Sequence, residues 1–357
     1  MTISKLQFQA IELLKDLIQT PSFSKEEDAT AGLLENWFKD HNISIKRHLN
    51  NVWAVNKYFD PSKPTILLNS HHDTVKPNAG YTRDPFAATI ENGKLFGLGS
   101  NDAGGCLVSL LATFTYFYLA EALEYNIVFA GTAEEEINGK NGIGGLLPLL
   151  PKINVAIVGE PTLMQMAIAE KGLVVFDAVV KGTSSHAAHP NNDNPIYKTA
   201  EVLKWFENFR FEKVSPVLGE VKLTVTQINA GSQHNVVPAE VALVIDVRVN
   251  DCYTNLEIEQ ILTSQAPVDE ITARSLRLNS SFIPKEHDLV KAGIELGMKT
   301  YGSPTLSDQA MLTCPSLKLG PGDSTRSHTA DEFIFLKEIE DGIEMYIKLL
   351  SKFLRPN

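Results

Sequence analysis

Acidic side chains and imidazoles follow the predicted strands of this 357-residue sequence one after another. They are His71 and Asp73, Ser100 to Asp102, Glu134 to Glu136, Glu160, and Asp323 with His328. Several carboxylates cannot share one crevice as anions without a counter-charge, and no lysine or arginine cluster at these positions supplies it. Carboxylate with imidazole suits zinc, cobalt or manganese better than calcium, which prefers oxygen ligands alone. The residue types therefore predict a divalent metal site.

The elements that precede these residues predict how the side chains meet. Helices are expected near 4–19, 25–40 and 104–121, and strands near 51–57, 65–69, 126–130 and 154–158. This alternation predicts an α/β domain with a mainly parallel sheet flanked by helices. Ligands of such sheets bind beyond the carboxyl ends of the strands. Five strand ends, including that of GKLFGLG at 93–99, would then deliver their side chains to a single crevice.

The pattern changes near residue 172. Strands and helices then follow in the order β-α-β-β-α-β, which is typical of a ferredoxin-like α+β module. A helix at 286–300, a strand at 316–319 and a helix at 336–354 resume the first domain. We therefore expect a catalytic domain made of residues 1–171 and 284–357, with an inserted domain at 172–283.

Composition excludes several classes of partner. The 32 basic and 43 acidic residues give a net charge of −11, which disfavours nucleic acid and acidic membrane surfaces. The first 19 residues predict an amphipathic helix rather than a signal peptide, and no apolar run is long enough to span a membrane. Cys106, Cys252 and Cys314 are far apart and odd in number, so free thiols and a cytoplasmic location are expected.

Each acidic residue alone also has a structural interpretation. Asp102 stands before Gly104 and could cap the helix that follows. The run from Glu134 to Glu136 could be a solvated loop, and Glu160 with Pro161 an ordinary turn. Their joint occurrence at successive strand ends favours the metal site over these alternatives.

Seven segments, in order, resemble the dinuclear zinc deacylases and exopeptidases. That family includes acetylornithine deacetylase, succinyl-diaminopimelate desuccinylase, aminoacylase and carboxypeptidase G. The segments are SHHDTV, GLGSNDAGG, TAEEE, VGEPT, GTSSHAAHP, GSQHNVVP with DVRV, and GPGDSTRSHTADE. The resemblance covers essentially the whole chain and implies a zinc-exopeptidase-like domain with an inserted dimerisation, or lid, domain.

The family resemblance implies a role for each matching residue. His71 and Glu160 would bind one metal ion, Glu136 and His328 the other, and Asp102 would bridge both. Glu135 would be the general base, and Asp73 would orient His71. His72 occupies a variable position and is expected to be a bystander. The two ions would be zinc, with cobalt as the second choice, and would activate a water molecule for attack on an amide.

The inserted domain would supply further groups by the same resemblance. His186 matches a histidine that stabilises the oxyanion in the partner subunit's active site, so a homodimer is implied. Asn235 matches a substrate-binding residue. Arg248 suits a substrate carboxylate, although a salt bridge with Asp246 or Glu240 is an equal alternative. For His189, a surface position and a substrate contact are equally weighted.

We expect an enzyme that hydrolyses the amide bond of a small N-acylated amino acid. The first expected substrate is N-acetylornithine, or a related N-acyl ornithine or citrulline, in arginine biosynthesis. A succinyl-diaminopimelate desuccinylase and a dipeptidase or carboxypeptidase are the alternatives. An inactive binding module that keeps the fold is the non-enzyme alternative, although all five ligands and the base are present. Leu306 and Arg326 depart from the family pattern and could change the acyl group that is accepted.

Overall fold

The computed structural model describes residues 2–354 and divides the chain into two compact units. Unit 2 consists of residues 169–281 and 302–306, and unit 1 of the rest. The segment 302–306 lies outside the predicted inserted domain. Within this segment, the carbonyl of Ser303 accepts the backbone N–H of Lys171 (3.3 Å). The dimerisation role expected of this domain stays a prediction.

Unit 1 is built on a sheet whose four central strands are parallel. In spatial order these strands are Asn126–Thr132, Thr65–His71, Val155–Val158 and Ser316–Lys318. Asn51–Val55 pairs antiparallel with the first of them and Lys46–His48 continues that edge. The predicted mainly parallel sheet with flanking helices is confirmed. Four of the expected strand ends therefore open on the same edge of one sheet.

Both faces of the central strand Thr65–His71 are buried, which explains its continuous apolar run. Ile66 and Leu68 face a cluster that includes residues of the helices Ile3–Gln19, Gly105–Phe117 and Leu336–Leu354. Leu67 points to the opposite face and a second apolar cluster. The alternation of side chains along a strand thus places the sheet between two apolar layers.

The remaining bounds in unit 1 and at its junctions are as follows. The other helices are Asp28–Asp40, Ile143–Leu146 and Asp288–Glu295, with 3₁₀ turns at Leu147–Leu149, Asp308–Met311 and Ser324–Arg326 and a π-type turn at Ser100–Gly104. The other strands are Thr89–Glu91, Lys94–Phe96, Met166–Glu170, Ser281–Phe282, Thr300–Ser303 and Phe333–Phe335. Among residues 2–354, no helix combines the length and the apolar composition that crossing a membrane requires.

One of the five expected strand ends was wrong. The strand Lys94–Phe96 pairs antiparallel with Thr89–Glu91 and with Phe333–Phe335 in a separate three-stranded sheet. Asp102 therefore does not follow a strand of the parallel sheet. It is carried by the irregular turn Ser100–Gly104, which leads into the buried helix Gly105–Phe117.

Unit 2 has the predicted β-α-β-β-α-β order. Its four strands lie side by side, all antiparallel, in the order Lys222–Ala230, Glu240–Val249, Gly172–Lys181 and Glu270–Ala273. Its helices are Pro195–Asn208 and Asn255–Gln265. Alternate strand residues form one apolar core with residues of both helices. A short ladder between Ser185–His186 and Val236–Val237 was not predicted.

Candidate metal centre

The imidazole of His71 lies at the end of the central strand and is almost completely buried, with 1% of its surface exposed. Its Nδ1 donates to the backbone carbonyl of Asp73 (3.0 Å) and lies 3.5 Å from that residue's carboxylate. These contacts place a proton on Nδ1, so Nε2 is the ring nitrogen that could bind a metal ion. Nε2 is buried and has no hydrogen-bond partner among the described residues.

Three carboxylates surround this unpartnered nitrogen. Nε2 of His71 lies 3.4 Å from Asp102, 3.9 Å from Glu135 and 3.9 Å from Glu160. Burial, together with the nearby Asp102 carboxylate, raises the pKa of Glu160 to about 8. Burial also raises the pKa of Glu135 well above its usual range. The charge of His71 opposes both rises, and that of Lys318 opposes the rise for Glu160, but the pKa values stay high, so the acids lack a sufficient counter-charge.

A second imidazole faces the other side of Asp102. Nε2 of His328 lies 3.0 Å and 3.2 Å from the two carboxylate oxygens of Glu136, and 3.7 Å from Oδ2 of Asp102. Oδ1 of Asp102 is the oxygen that faces His71. The carboxylate of Asp102 therefore stands between the two histidines with one oxygen towards each.

The donor set fits divalent metal ions. Potential ligand atoms of His71, Asp102 and Glu136 all lie within 4.8 Å of one another. A buried imidazole nitrogen with a free lone pair and no partner is costly unless it binds something. Imidazole together with carboxylate is a ligand set for zinc, cobalt or manganese. The residues predicted as ligands are thus brought together, while the assignment of each to one ion stays a prediction.

The carboxylate of Asp73 also organises the loop that carries Glu135 and Glu136. It accepts the backbone N–H of Glu135 (3.0 Å) and of Glu136 (3.1 Å), and the hydroxyl of Ser24 donates to it at 2.6 Å. One side chain therefore fixes the ring of His71 and both glutamates. Of these contacts, only the one between Asp73 and His71 was predicted from the sequence.

Further buried acids support the site. Glu332 accepts three backbone N–H groups of the turn that carries Asp102, and burial raises the pKa of its carboxyl to about 8. Asp308 accepts the hydroxyl of Thr132 at 2.6 Å. The carboxylate of Glu27 accepts the backbone N–H of Glu134 at 3.2 Å. Sequence patterns did not single out these partners, because an acid that binds distant amides has no fixed spacing from them.

His72 has a structural environment. Its Nε2 donates to the carbonyl of Asn50 (2.9 Å), and its Nδ1 is 2.9 Å from the hydroxyl of Thr30. Burial lowers its pKa, which favours the neutral ring. The side chain therefore ties the strand end to the helix Asp28–Asp40 and makes no contact with the carboxylates of the metal centre.

Arg326 and Leu306, the two residues that depart from the family pattern, have different surroundings. Both guanidinium nitrogens of Arg326 donate to the carboxylate of Glu338, at 2.7 Å and 3.0 Å, and the group lies over the rings of Phe333 and Phe335. Arg326 is therefore engaged within unit 1. Leu306 belongs to unit 2 and is partly buried, and its expected effect on the acyl pocket stays a prediction.

The candidate residues of unit 2 lie on exposed or partly exposed surfaces. His186 is exposed and pairs with Val236 in the short ladder, where Ala187 donates to the carbonyl of Asn235 (2.9 Å). The ladder thus brings His186 and Asn235 together. The ring of His189 lies 5.7 Å from that of His186.

Arg248 makes a two-pronged pair with Asp246, at 2.9 Å and 3.1 Å. A salt bridge with Asp246 was one of the two predicted alternatives to substrate binding by Arg248. The structure therefore shows the structural contact, and the substrate contact stays a prediction.

Comparison with known proteins gives concordant results. The family model described as peptidase family M20/M25/M40 matches residues 67–352. The chain is 28% identical to an acetylornithine deacetylase of Shigella sonnei over 375 residues, which cover 96% of this chain and 97% of that protein. It is 27% identical to a succinyl-diaminopimelate desuccinylase of Rickettsia felis over 383 residues, covering 96% and 100%. Its fold is similar to that of a dinuclear metal-binding peptidase of the M20 family from Bacillus subtilis, with a TM-score of 0.74, 16% identity, and 98% and 99% of the two chains covered.

Proposed function

This chain belongs to the peptidase family M20/M25/M40, and we propose that it is a dinuclear metal-dependent hydrolase that removes the acyl group from a small N-acylated amino acid. The observation that carries the proposal is the buried Nε2 of His71, which faces three carboxylates and has no hydrogen-bond partner within residues 2–354. A protein that only kept the fold would have no reason to retain such a costly arrangement.

The residues divide into ligands and a base. His71 and Glu160 would hold one ion, Glu136 and His328 the other, and Asp102 both. Two bound divalent cations would lower the pKa of a water molecule and polarise the amide carbonyl. Zinc is the first candidate and cobalt the second, because both accept mixed imidazole and carboxylate ligands.

Glu135 would move the protons. Its carboxylate lies among the ligands, 3.9 Å from Nε2 of His71, and its backbone is fixed by Asp73. In this role it accepts a proton from the attacking water and passes it to the leaving amine. His186 of the partner subunit would donate a hydrogen bond to the oxyanion.

N-acetylornithine is the first substrate that we propose, with the related N-acyl citrullines and N-succinylornithine beside it. The resemblance to an acetylornithine deacetylase at 28% identity supports this choice. N-succinyl-diaminopimelate is the second candidate, because a desuccinylase is similar at 27% identity over the same share of this chain. The engagement of Arg326 with Glu338 argues against using that cation to bind a succinyl carboxylate.

A hydrolysis screen tests the proposal. N-acetyl and N-succinyl forms of ornithine, citrulline and diaminopimelate are supplied to the zinc-loaded protein, and release of the free amine is measured. We expect one of these compounds to be cleaved with a kcat/KM at least tenfold above the others. A chelator should abolish the activity, and zinc or cobalt should restore it. Full activity after exhaustive chelation would contradict the proposal, and so would cleavage of none of these compounds.

A further inference from the structure

Glu332 is a buried acid whose carboxylate binds backbone rather than side chains. Only 2% of its surface is exposed. One oxygen accepts the N–H of Asn101 (2.8 Å) and of Asp102 (2.9 Å), and the other accepts the N–H of Gly99 (3.1 Å). Hydrogen bonds from amides to a carboxylate are stronger than those between neutral groups. Three of them on one side chain fix the course of the turn from Gly99 to Asp102.

The three N–H groups that Glu332 binds lie at the beginning of this π-type turn, where backbone amides have no partner within the turn itself. Gly99 has a left-handed φ of +74°, and a Cβ there would lie 2.5 Å from the side chain of Thr74, so the turn requires glycine. Asp102 and Ala103 depart from helical dihedral angles. The carboxylate of Glu332 therefore satisfies amides that the turn itself leaves unpaired.

Glu332 also links the two halves of the metal centre along the chain. It stands four residues after His328 and directly before the strand Phe333–Phe335. Its own carbonyl accepts the N–H of Gly97 at 3.0 Å. The loop that carries His328 and the turn that carries Asp102 are thus fastened to each other at Glu332, in addition to the two hydrogen bonds between Asn101 and Asp323 (both 3.0 Å).

We infer that Glu332 is a positioning residue for the metal centre: its carboxylate holds Asp102 at the distance from His328 that a shared divalent cation requires. The inference rests on the metal centre of the proposed function, but not on the substrate. It concerns a residue that touches neither the ligand atoms nor the reacting groups. Removing a group that orients a metal ligand typically lowers metal affinity about 10–100-fold.

The test compares three variants with matched chemistry. Glu332→Gln keeps the shape and removes the charge, while Glu332→Asp keeps the charge and withdraws it by one methylene. Asp331→Asn is the control, because the neighbouring Asp331 accepts the backbone N–H groups of Thr82 and Arg83 (2.9 Å and 3.0 Å), which belong to another loop. Zinc affinity of the metal-free full chain is measured by competition with a chromophoric chelator, and the melting temperature without metal by circular dichroism.

We expect both Glu332 variants to bind zinc about 10–100-fold more weakly than the wild type, and Asp331→Asn to bind it within threefold of the wild type. Wild-type affinity in Glu332→Asp would overturn the inference, because charge alone would then suffice. An equal loss in Asp331→Asn would overturn it as well. If a variant unfolds without metal, zinc-dependent refolding replaces the titration, and the zinc concentration that restores half of the far-UV signal is measured. A concentration within threefold of that for Asp331→Asn would contradict the inference. Because the zinc measurement uses no substrate, its outcome does not depend on whether the hydrolysis screen succeeds.

Discussion

At the scale of single residues, Asp73 and Asp102 each use their two carboxylate oxygens for different partners. Asp73 accepts one backbone N–H on each oxygen and also lies 3.5 Å from Nδ1 of His71. Asp102 turns one oxygen to His71 and the other to His328. Two short acidic side chains thus fix the distance between both halves of the centre, which longer glutamates could do only with less precision.

Glu135 and Glu136 are neighbours with different expected roles, and their alanine variants should separate them. Glu135→Ala should lower kcat by about 10²–10⁴-fold, the usual contribution of a general base, with metal content near that of the wild type. Glu136→Ala should lose one of two bound ions, because Glu136 faces His328 at 3.0 Å. Kinetics and elemental analysis of both variants provide the measurement, and exchanged phenotypes would show that the assignment is shifted by one residue.

Arg326 is expected to stabilise unit 1 without selecting the substrate. Arg326→Met keeps the aliphatic stem but leaves Glu338 without its charged partner, so the free energy of unfolding should fall by about 1–3 kcal/mol. The ratio of kcat/KM for acetyl and succinyl substrates should stay within twofold. Arg83→Met is the control, since Arg83 also pairs with an acid and lies over a ring (4.2 Å), but is more exposed, and should cost less than about 1 kcal/mol. A changed substrate ratio would show that Arg326 does reach the substrate.

At the scale of secondary-structure elements, the central strands and the split-βαβ order followed from the sequence because apolar runs and alternation record burial directly. The strand Lys94–Phe96 was assigned to the wrong sheet, since its residues do not record which partner they pair with. The ladder at Ser185–His186 is too short to leave a pattern. The residues that meet at the candidate metal centre were predictable from motifs, whereas Glu332 and Asp308 depend on contacts between segments far apart in sequence.

The junction between the 3₁₀ turn Asp308–Met311 and the strand end at Thr132 predicts a pH-dependent stability. Burial raises the pKa of Asp308 from 3.8 to about 6, with the nearby Asp73 carboxylate adding to the rise, while the Thr132 hydroxyl and the charge of His71 lower it. The folded chain then holds a proton that the unfolded chain has released, so this group makes the wild type less stable as pH rises from about 3.8 to about 6.

Asp308→Asn should remove this dependence. The difference in unfolding free energy, variant minus wild type, should increase between pH 3.8 and pH 6 and then level off. Urea unfolding of the metal-free proteins across this range provides the measurement. Asp331→Asn serves as the control that stays nearly flat over this range, because the hydrogen bond from Thr82 lowers the pKa of Asp331 and so confines its effect to pH values below about 3.8. A flat difference for Asp308→Asn would show that the pKa of its carboxyl is the same in the folded and the unfolded chain.

At the scale of the whole molecule, unit 2 has an open edge. The strand Lys222–Ala230 is the outermost of its sheet, and its residues from 226 onward are exposed. Ile228 keeps 54% of its surface exposed. Edge strands with free N–H and carbonyl groups readily pair with another chain, and pairing of two identical edges produces a closed dimer. This edge supports the homodimer that the family resemblance implies.

We predict that such a dimer shares its active sites, with His186 acting on the substrate held by the partner's metal centre. His186→Ala and Glu135→Ala subunits should each be inactive alone, because one lacks the oxyanion donor and the other the base. Mixed dimers should regain activity, since one of their two sites would contain both an intact Glu135 and the partner's intact His186. Differently tagged chains are co-expressed, the doubly tagged dimer is isolated, and its kcat is compared with half that of the wild type. As the control, a mixed dimer in which one chain carries both substitutions and the other carries none should be inactive, because neither site then combines the two groups. Activity in this control together with an inactive first mixture would place His186 in the site of its own chain.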